Sequence, residues 1–110
     1  MALKKTIQFE NGAVAEYHKI SIIHVYAASL QDQGLKPEDR GNYDPEACVM
    51  FLDVDSYRSE DFRNKDLDKK IMSNSYRVNT TLTEAQSVGI WTEAYRLLAE
   101  LPLFLGSEYV

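Results

Sequence analysis

Two histidines are the first candidates for chemistry in this chain. His18 and His24 lie six residues apart in a segment rich in β-branched and aromatic residues. On an uninterrupted strand they would share a face but lie roughly 20 Å apart, so one ion could not bridge them within a subunit. A bulge between them would break that parity. We expect partly exposed strand histidines, with no metal site.

The acidic segment Asp53–Tyr57 begins like a calcium-binding loop. Arg58 stands where such a loop needs glycine for its sharp turn, and Asn64 stands where it needs a bidentate glutamate. The pattern therefore indicates a solvated strand end. We expect no bound metal and no cofactor.

Nucleophile and phosphate-binding patterns are also missing from the sequence. Cys48 begins an apolar strand and is the only cysteine, which favours a small core residue and a reducing compartment of synthesis. No nucleophile elbow surrounds any Ser or Thr, and the glycines lack the spacing of a phosphate loop. The sequence predicts a protein that is not an enzyme. The alternative is a small enzyme with a site shared between subunits, using His18 or His24 as acid or base.

Composition narrows the classes of partner. A chain of 110 residues forms one domain. Its net charge of −5 disfavours nucleic acid and anionic lipid as partners. No apolar run is long enough to span a membrane, and the opening MALKKTIQFENG lacks the apolar core of a secretory signal. We expect neither nucleic acid nor a membrane as a partner.

The first 82 residues read as strands joined by turns. Asn11-Gly12 predicts a two-residue type I′ hairpin turn. The following strand is long, so we expect a bend or bulge near Lys19–Ser21, with a helix through Ala27 and Leu30 as the rival reading. The predicted strands are Lys5–Phe9, Ala13 to about Leu30, Cys48–Tyr57 and Ile71–Leu82.

The last quarter of the chain has a clear helical period. Thr83 and Gln86 fit a capping box, and Pro102 ends the pattern. The apolar stripe is Ile90, Ala94, Leu97, Leu98 and Leu101. The predicted fold is α+β: an antiparallel sheet of four to five strands with one C-terminal helix, about 84–101, packed on one face.

The whole chain, 1–110, is predicted to be a single domain. Its β-rich part covers 4–82 and includes a long polar loop at 31–46, which is either a solvated insertion or an arm that orders on a partner. The mixed-charge connector Arg58–Lys70 has room for a helical turn. An apolar tail, 102–110, follows the helix and must fold back on the core or pack on a neighbour.

Aromatic residues are more numerous than a core of this size needs. Seven Tyr, four Phe and one Trp favour a protein that assembles, because aromatic side chains are enriched at interfaces. We predict Trp91, Tyr95, Phe104 and Tyr109 as interface anchors. The alternative for Trp91 and Tyr95 is packing against the sheet.

Both ends of the chain resemble small proteins encoded in tailed phages and prophages. The matching features are MALKKTIQFENG, the early Tyr17-His18 dipeptide and a closing helix of the form AYxxLKxLPxF. The matching helix residues here are Ala94, Tyr95, Leu98, Leu101, Pro102 and Phe104. The middle of the chain, 31–70, does not match.

The resemblance implies a phage structural or assembly protein from the virion, tail or baseplate region. The aromatic excess and the apolar tail favour a homo-oligomer, so the expected partners are further copies of the chain and other phage structural proteins. Its implied location is the cytoplasm of the bacterial host during synthesis, with the virion as a second location. No catalytic residues carry over.

An acidic binding module that inhibits or regulates another protein is the second hypothesis. Such a module could mimic nucleic acid with its carboxylates. The candidate residues are Glu38, Asp39, Asp44, Asp53, Asp55, Glu60 and Asp61.

Overall fold

A computed structural model of the protein describes residues 1–66 and 69–110. The strands are β1 (Leu3–Gln8), β2 (Val14–Ala27), β3 (Ala47–Tyr57), β4 (Met72–Thr81) and β5 (Glu108–Tyr109). The α-helices are α1 (Glu60–Lys65), α2 (Leu82–Val88) and α3 (Ile90–Glu100). Short 3-10 helices cover Pro37–Asn42 and Pro102–Phe104.

The fold is α+β, as the sequence predicts. One five-stranded sheet has the order β4-β3-β2-β1-β5, and the pairings of its neighbouring strands are antiparallel. Alternate residues of β3 face a core to which α3 contributes Ala94, Tyr95 and Leu98. This interior strand carries apolar residues on the core side because both neighbouring strands and the helix exclude water there.

A bulge interrupts β2 within the predicted range. Ile20 pairs with Val54 and Ile22 with Asp53, so Ser21 is the extra residue. β2 nevertheless continues as one strand to Ala27. The alternative of a helix through Ala27 and Leu30 is therefore wrong. One inserted residue exchanges the faces of the residues that follow it.

The first hairpin is where the sequence predicts it, but its turn type is different. The Gly12 amide donates to the Phe9 carbonyl at 2.9 Å, and the Phe9 amide donates to Ala13 at 2.8 Å. Gly12 has φ +87°, whereas Asn11 stays at negative φ. A type I′ turn needs positive φ at both positions, so this is a longer loop that ends on a left-handed glycine.

The single C-terminal helix predicted for 84–101 is wrong, because Gly89 divides it into α2 and α3. Gly89 has φ +89° and ψ 146°, a conformation that L side chains rarely adopt. The helix cap also differs from the prediction. The Thr81 hydroxyl oxygen accepts from the Glu84 amide at 3.2 Å, and the Thr83 hydroxyl donates to Glu46 at 2.6 Å.

The polar loop 31–46 is held by its own hydrogen bonds and includes a 3-10 helix. The Asp44 amide donates to the Gln33 side chain at 2.9 Å, and the Gln33 side-chain amide donates back to the Asp44 carbonyl at 3.0 Å. The Tyr43 hydroxyl donates to the Ala28 carbonyl at 3.0 Å. These hydrogen bonds fix the conformation of the loop within the single chain.

The remaining connections follow the predicted pattern in part. The connector Arg58–Lys70 contains α1, with the Ser59 side chain at its N-terminus, and its positions 67 and 68 lie outside the described residues. The tail folds back on its own chain: Leu3 pairs with Tyr109, and Lys4 with Glu108.

The molecule is elongated. Its radius of gyration is 16.0 Å, against about 13 Å for a compact domain of this length. The long β2, β3 and β4 extend past the short β1 and β5. Within the described residues, none of the helices is long and apolar enough to cross a membrane.

Candidate functional site

The four predicted interface anchors divide into two exposed and two buried side chains. Trp91 is 52% exposed and Tyr109 is 56% exposed. Tyr95 is 2% exposed and Phe104 is fully buried. The structure corrects the prediction for Tyr95 and Phe104, since a side chain in the core of its own chain is not available to a second one.

Tyr95 has an internal role at the β2 bulge. Its hydroxyl accepts a hydrogen bond from the Ile20 amide at 2.9 Å. Pairing between β1 and β2 ends at Leu3 and His18, so Ile20 lies past the end of β1. Burial raises the pKa of the Tyr95 hydroxyl, and the bond from Ile20 opposes that rise. Tyr95 thus satisfies a backbone donor that β1 does not reach.

Replacing Tyr95 by phenylalanine is expected to lower the free energy of unfolding by about 1–3 kcal/mol, because the buried Ile20 amide loses its acceptor. Urea unfolding of the two proteins measures the difference. Tyr109→Phe is the matched control, since that ring is exposed. A Tyr95→Phe variant as stable as the wild type would contradict the assigned role.

His18 is buried, in contrast to the partly exposed side chain predicted from the sequence. Its Nδ1 lies 2.8 Å from Ser56 Oγ, and its Nε2 lies 2.8 Å from the Lys5 carbonyl oxygen. A carbonyl only accepts, so Nε2 carries the proton of the neutral ring and Nδ1 accepts from the Ser56 hydroxyl. Both ring nitrogens are therefore occupied inside the chain.

His24 is exposed and lies on the opposite face of β2 from His18. The extra residue at Ser21 reverses which face of the sheet each later residue of β2 occupies. Before the bulge His18 pairs with Ser56, and after it His24 pairs with Phe51, which lies on the other face of β3. The two rings cannot form one site within a subunit. Any acid–base chemistry with a solvent-borne substrate would fall to His24, because His18 has no access to solvent.

The acidic residues are distributed over several elements. On β3, Asp53 accepts from the Ser75 hydroxyl at 2.5 Å and Asp55 from Ser73 at 2.8 Å. Lys70 lies 3.7 Å from Asp55. Among the described residues, no group of three or more His, Cys, Asp or Glu side chains is placed to hold a metal ion.

Glu93 is the one acidic side chain in the core of the described residues, and sequence reasoning missed it. It accepts from Arg96 Nε at 2.6 Å and from the Thr80 hydroxyl at 2.7 Å. The hydrogen bond from Arg96 lowers the pKa of the Glu93 carboxyl, whereas burial opposes the effect. The Thr80 contact joins α3 to β4, whereas the Arg96 contact lies within α3. The i,i+3 spacing of Glu93 and Arg96 could have suggested their ion pair but not the contact with the sheet.

An open cleft of about 620 Å³ lies where α3 meets the bulged part of β2. Trp91 and Tyr95 form one wall, and Ile20 and Ser21 form another. The other lining residues are Met1, Lys19, Asp55, Tyr57, Arg63 and Lys70. The exposed Trp91 ring therefore lies close to the bulged part of β2.

Exposed apolar side chains also surround the junction of α2 and α3. Val88 and Ile90, on either side of Gly89, are each 45% exposed, and Trp91 follows Ile90. Leu82, also 45% exposed, lies at the other end of α2. Ile90 was predicted to belong to the buried stripe. The rest of the predicted stripe does face the core: Ala94 and Leu98 are buried in it, and Leu97 and Leu101 pack against it. Tyr95 joins them on the buried side of α3.

No family model, curated protein or solved structure matches this chain. The resemblance to small phage proteins is therefore still a prediction from sequence motifs.

Proposed function

We propose that this chain is a small structural or assembly protein of a phage or prophage, associated with the tail or baseplate. It acts through protein–protein contacts, with further copies of itself and with other phage structural proteins, and not through catalysis. The motif resemblance at the two ends of the chain supplies the phage context.

The observation that carries the proposal is the amount of apolar surface on an elongated chain. The accessible surface is 6848 Å², against about 6,200 Å² for a compact monomer of this mass. Its exposed apolar residues include Ile22, Tyr26, Leu82, Val88, Ile90, Trp91, Leu105 and Tyr109. Val88, Ile90 and Trp91 lie within four consecutive residues, and exposed apolar side chains grouped in this way are typical of contact sites.

The deciding experiment deletes the coding sequence from the prophage that carries it and analyses the particles after induction. We expect tail-defective particles, or peptides of this chain in particles from the undeleted strain. The first result indicates an assembly factor and the second a virion component. Unchanged particle number, morphology and composition after deletion would overturn the proposal.

Complementation locates the contact surface. Trp91→Glu places a charge in the exposed apolar group at the α2–α3 junction, and we expect it to fail to restore normal particles. Val14→Glu is the matched control, because Val14 is also 48% exposed but lies at the start of β2, away from that group. Equal rescue by both variants would place the contact elsewhere on the chain.

A further inference from the structure

The edge of β2 that faces β1 is open over half its length. β1 pairs with β2 only as far as Leu3 and His18, and the Ile20 amide is used by Tyr95. From Ser21 to Ala27, no strand within the described residues pairs with this edge. A row of backbone donors and acceptors is thus available to another strand.

The open segment has the composition of a pairing strand. It reads SIIHVYA and contains no Asp, Glu, Lys or Arg. Ile22 is 49% exposed, Val25 37% and Tyr26 47%. Natural proteins usually protect an exposed edge with lysine, proline or covering structure. In this chain the bulge at Ser21 marks the start of the segment. The segment itself contains neither lysine nor proline.

The sheet's outer edge at β4 differs in its chemistry. Its outward residues include Ser73, Ser75, Arg77 and Asn79. Arg77 also forms an ion pair with Asp32, at 3.3 Å, which holds the polar loop 31–46 against that strand. The β2 segment is therefore the better candidate for strand addition.

A two-fold axis at His24 makes the segment complementary to itself. In an antiparallel pair centred there, Ile22 lies opposite Tyr26 of the second copy, and Ile23 lies opposite Val25. Both are apolar cross-strand pairs of the kind that stabilise a sheet. This register pairs the open segment along its full length, from Ser21 to Ala27, and brings no like charges together. A second copy of this chain is thus an occupant that fits the edge.

We infer that two copies of the chain pair through the Ser21–Ala27 edges of β2, which gives one continuous antiparallel sheet across a symmetric dimer. The inference rests on the proposed contact role and adds the partner and the register. Trp91, in the cleft beside Ile20 and Ser21, lies next to the end of the incoming strand.

Charge pairing across the two-fold axis tests the register. Light scattering at several concentrations should give twice 12.6 kDa for the wild type at the upper end. Ile22→Lys with Tyr26→Lys in one chain places Lys opposite Lys twice, and we expect the dimer Kd to rise at least about tenfold. Ile22→Lys with Tyr26→Glu places Lys opposite Glu twice, and we expect it to restore the dimer. Both double variants lose the same two exposed side chains, so they control for each other.

Cysteine cross-linking supplies a second readout, in a Cys48→Ala background. Directly opposed antiparallel residues have Cα atoms about 4.5–5.5 Å apart, which suits a disulfide. His24→Cys should cross-link to its copy under mild oxidation, whereas Ile22→Cys should not. Ile22→Cys with Tyr26→Cys should cross-link again.

A wild type that stays monomeric at all concentrations would overturn the inference. So would a dimer that the Lys/Lys variant leaves intact, or equal cross-linking by Ile22→Cys and His24→Cys. These results are independent of the particle experiment: a monomer could still be needed for particle assembly, and a dimer could be absent from particles. Failure of the dimer and failure of the phage role are therefore distinguishable.

Discussion

Replacing Phe104 by alanine is expected to lower the free energy of unfolding by about 3–5 kcal/mol, the usual cost of deleting a buried aromatic ring. Phe104 is fully buried in the main core. Its ring meets the His18 ring edge-on at 5.4 Å and the Tyr76 ring at 5.3 Å between centroids. The variant loses both contacts and leaves a cavity between the tail and the sheet.

Phe104 also attaches the tail. Its amide donates to the Leu101 carbonyl at 2.9 Å, and its carbonyl accepts from the Ser107 amide at 3.0 Å. The following residues reach β5, which pairs with β1. We expect Phe104→Ala to increase hydrogen exchange of the Val110 amide, which donates to Ala2 at 3.0 Å. Denaturant unfolding and hydrogen exchange measure the two effects.

The neighbouring Leu105 is the matched control, because it is 57% exposed. Leu105→Ala should change stability by no more than about 0.5 kcal/mol. The pair also separates the two roles considered for Phe104. An interface anchor would change the oligomer mass with little loss of monomer stability, whereas a core residue would lower stability at every protein concentration.

The α+β class and four of the five strands follow from the sequence. Alternating apolar residues define β1 and the end of β3, and β-branched residues define β2. Tyr76 and Val78 alternate with polar residues along β4, and both lie on the core side. These signals depend on nearest neighbours along the chain, so a single sequence contains them. β5 has only Glu108 and Tyr109, too few residues for a period.

The helix and the histidines show where sequence reasoning fails. The helical period of the sequence continues through Gly89, and the structure shows the break there as a φ of +89°. The one signal for it in the sequence is that glycine is less favourable than other residues inside a helix. Burial of His18 depends on Lys5 and Ser56, which are distant in sequence. The faces of His18 and His24 depend on one extra residue at Ser21, and a bulge was anticipated without its effect on them.

The division of Trp91 and Tyr95 into exposed and buried could not be read from their spacing. Residues four apart on a helix normally share a face. Trp91 lies in the first turn of α3 and lines the open cleft, whereas Tyr95 reaches the Ile20 amide. The end of β1 creates that unpaired amide, and strand length relative to a neighbour is a property of the assembled sheet.

Replacing His18 by leucine is expected to lower the free energy of unfolding by about 2–6 kcal/mol. The Lys5 carbonyl and the Ser56 hydroxyl would both lose their buried partner, and each such loss typically costs 1–3 kcal/mol. His18→Gln offers a donor and an acceptor on one side chain, so it should retain more stability than leucine. Equal losses for the two variants would indicate that shape, and not hydrogen bonding, determines the cost.

The same variants test the pH dependence. Burial lowers the pKa of His18 below its usual value, the hydrogen bond to the Lys5 carbonyl opposes this, and the Lys5 charge reinforces it. The unfolded chain takes up this proton near pH 6.5, and the folded chain does so only at lower pH. The contribution of neutral His18 is therefore complete above about pH 6.5 and is lost as pH falls toward the folded pKa.

Urea unfolding between pH 7.5 and pH 5 should show this loss, at no more than about 1.4 kcal/mol for each pH unit. His18→Gln cannot take up the proton, so its stability should be flatter over the same range. His24→Gln is the matched histidine control, measured at a concentration at which the chain is monomeric, because that ring is exposed in the single folded chain. The carboxyl groups with lowered pKa, Asp32 and Glu93, lose their stabilising contribution mainly below pH 5, where the unfolded chain takes up those protons. If His18→Gln kept the wild-type slope, the buried and neutral state assigned to His18 would be wrong.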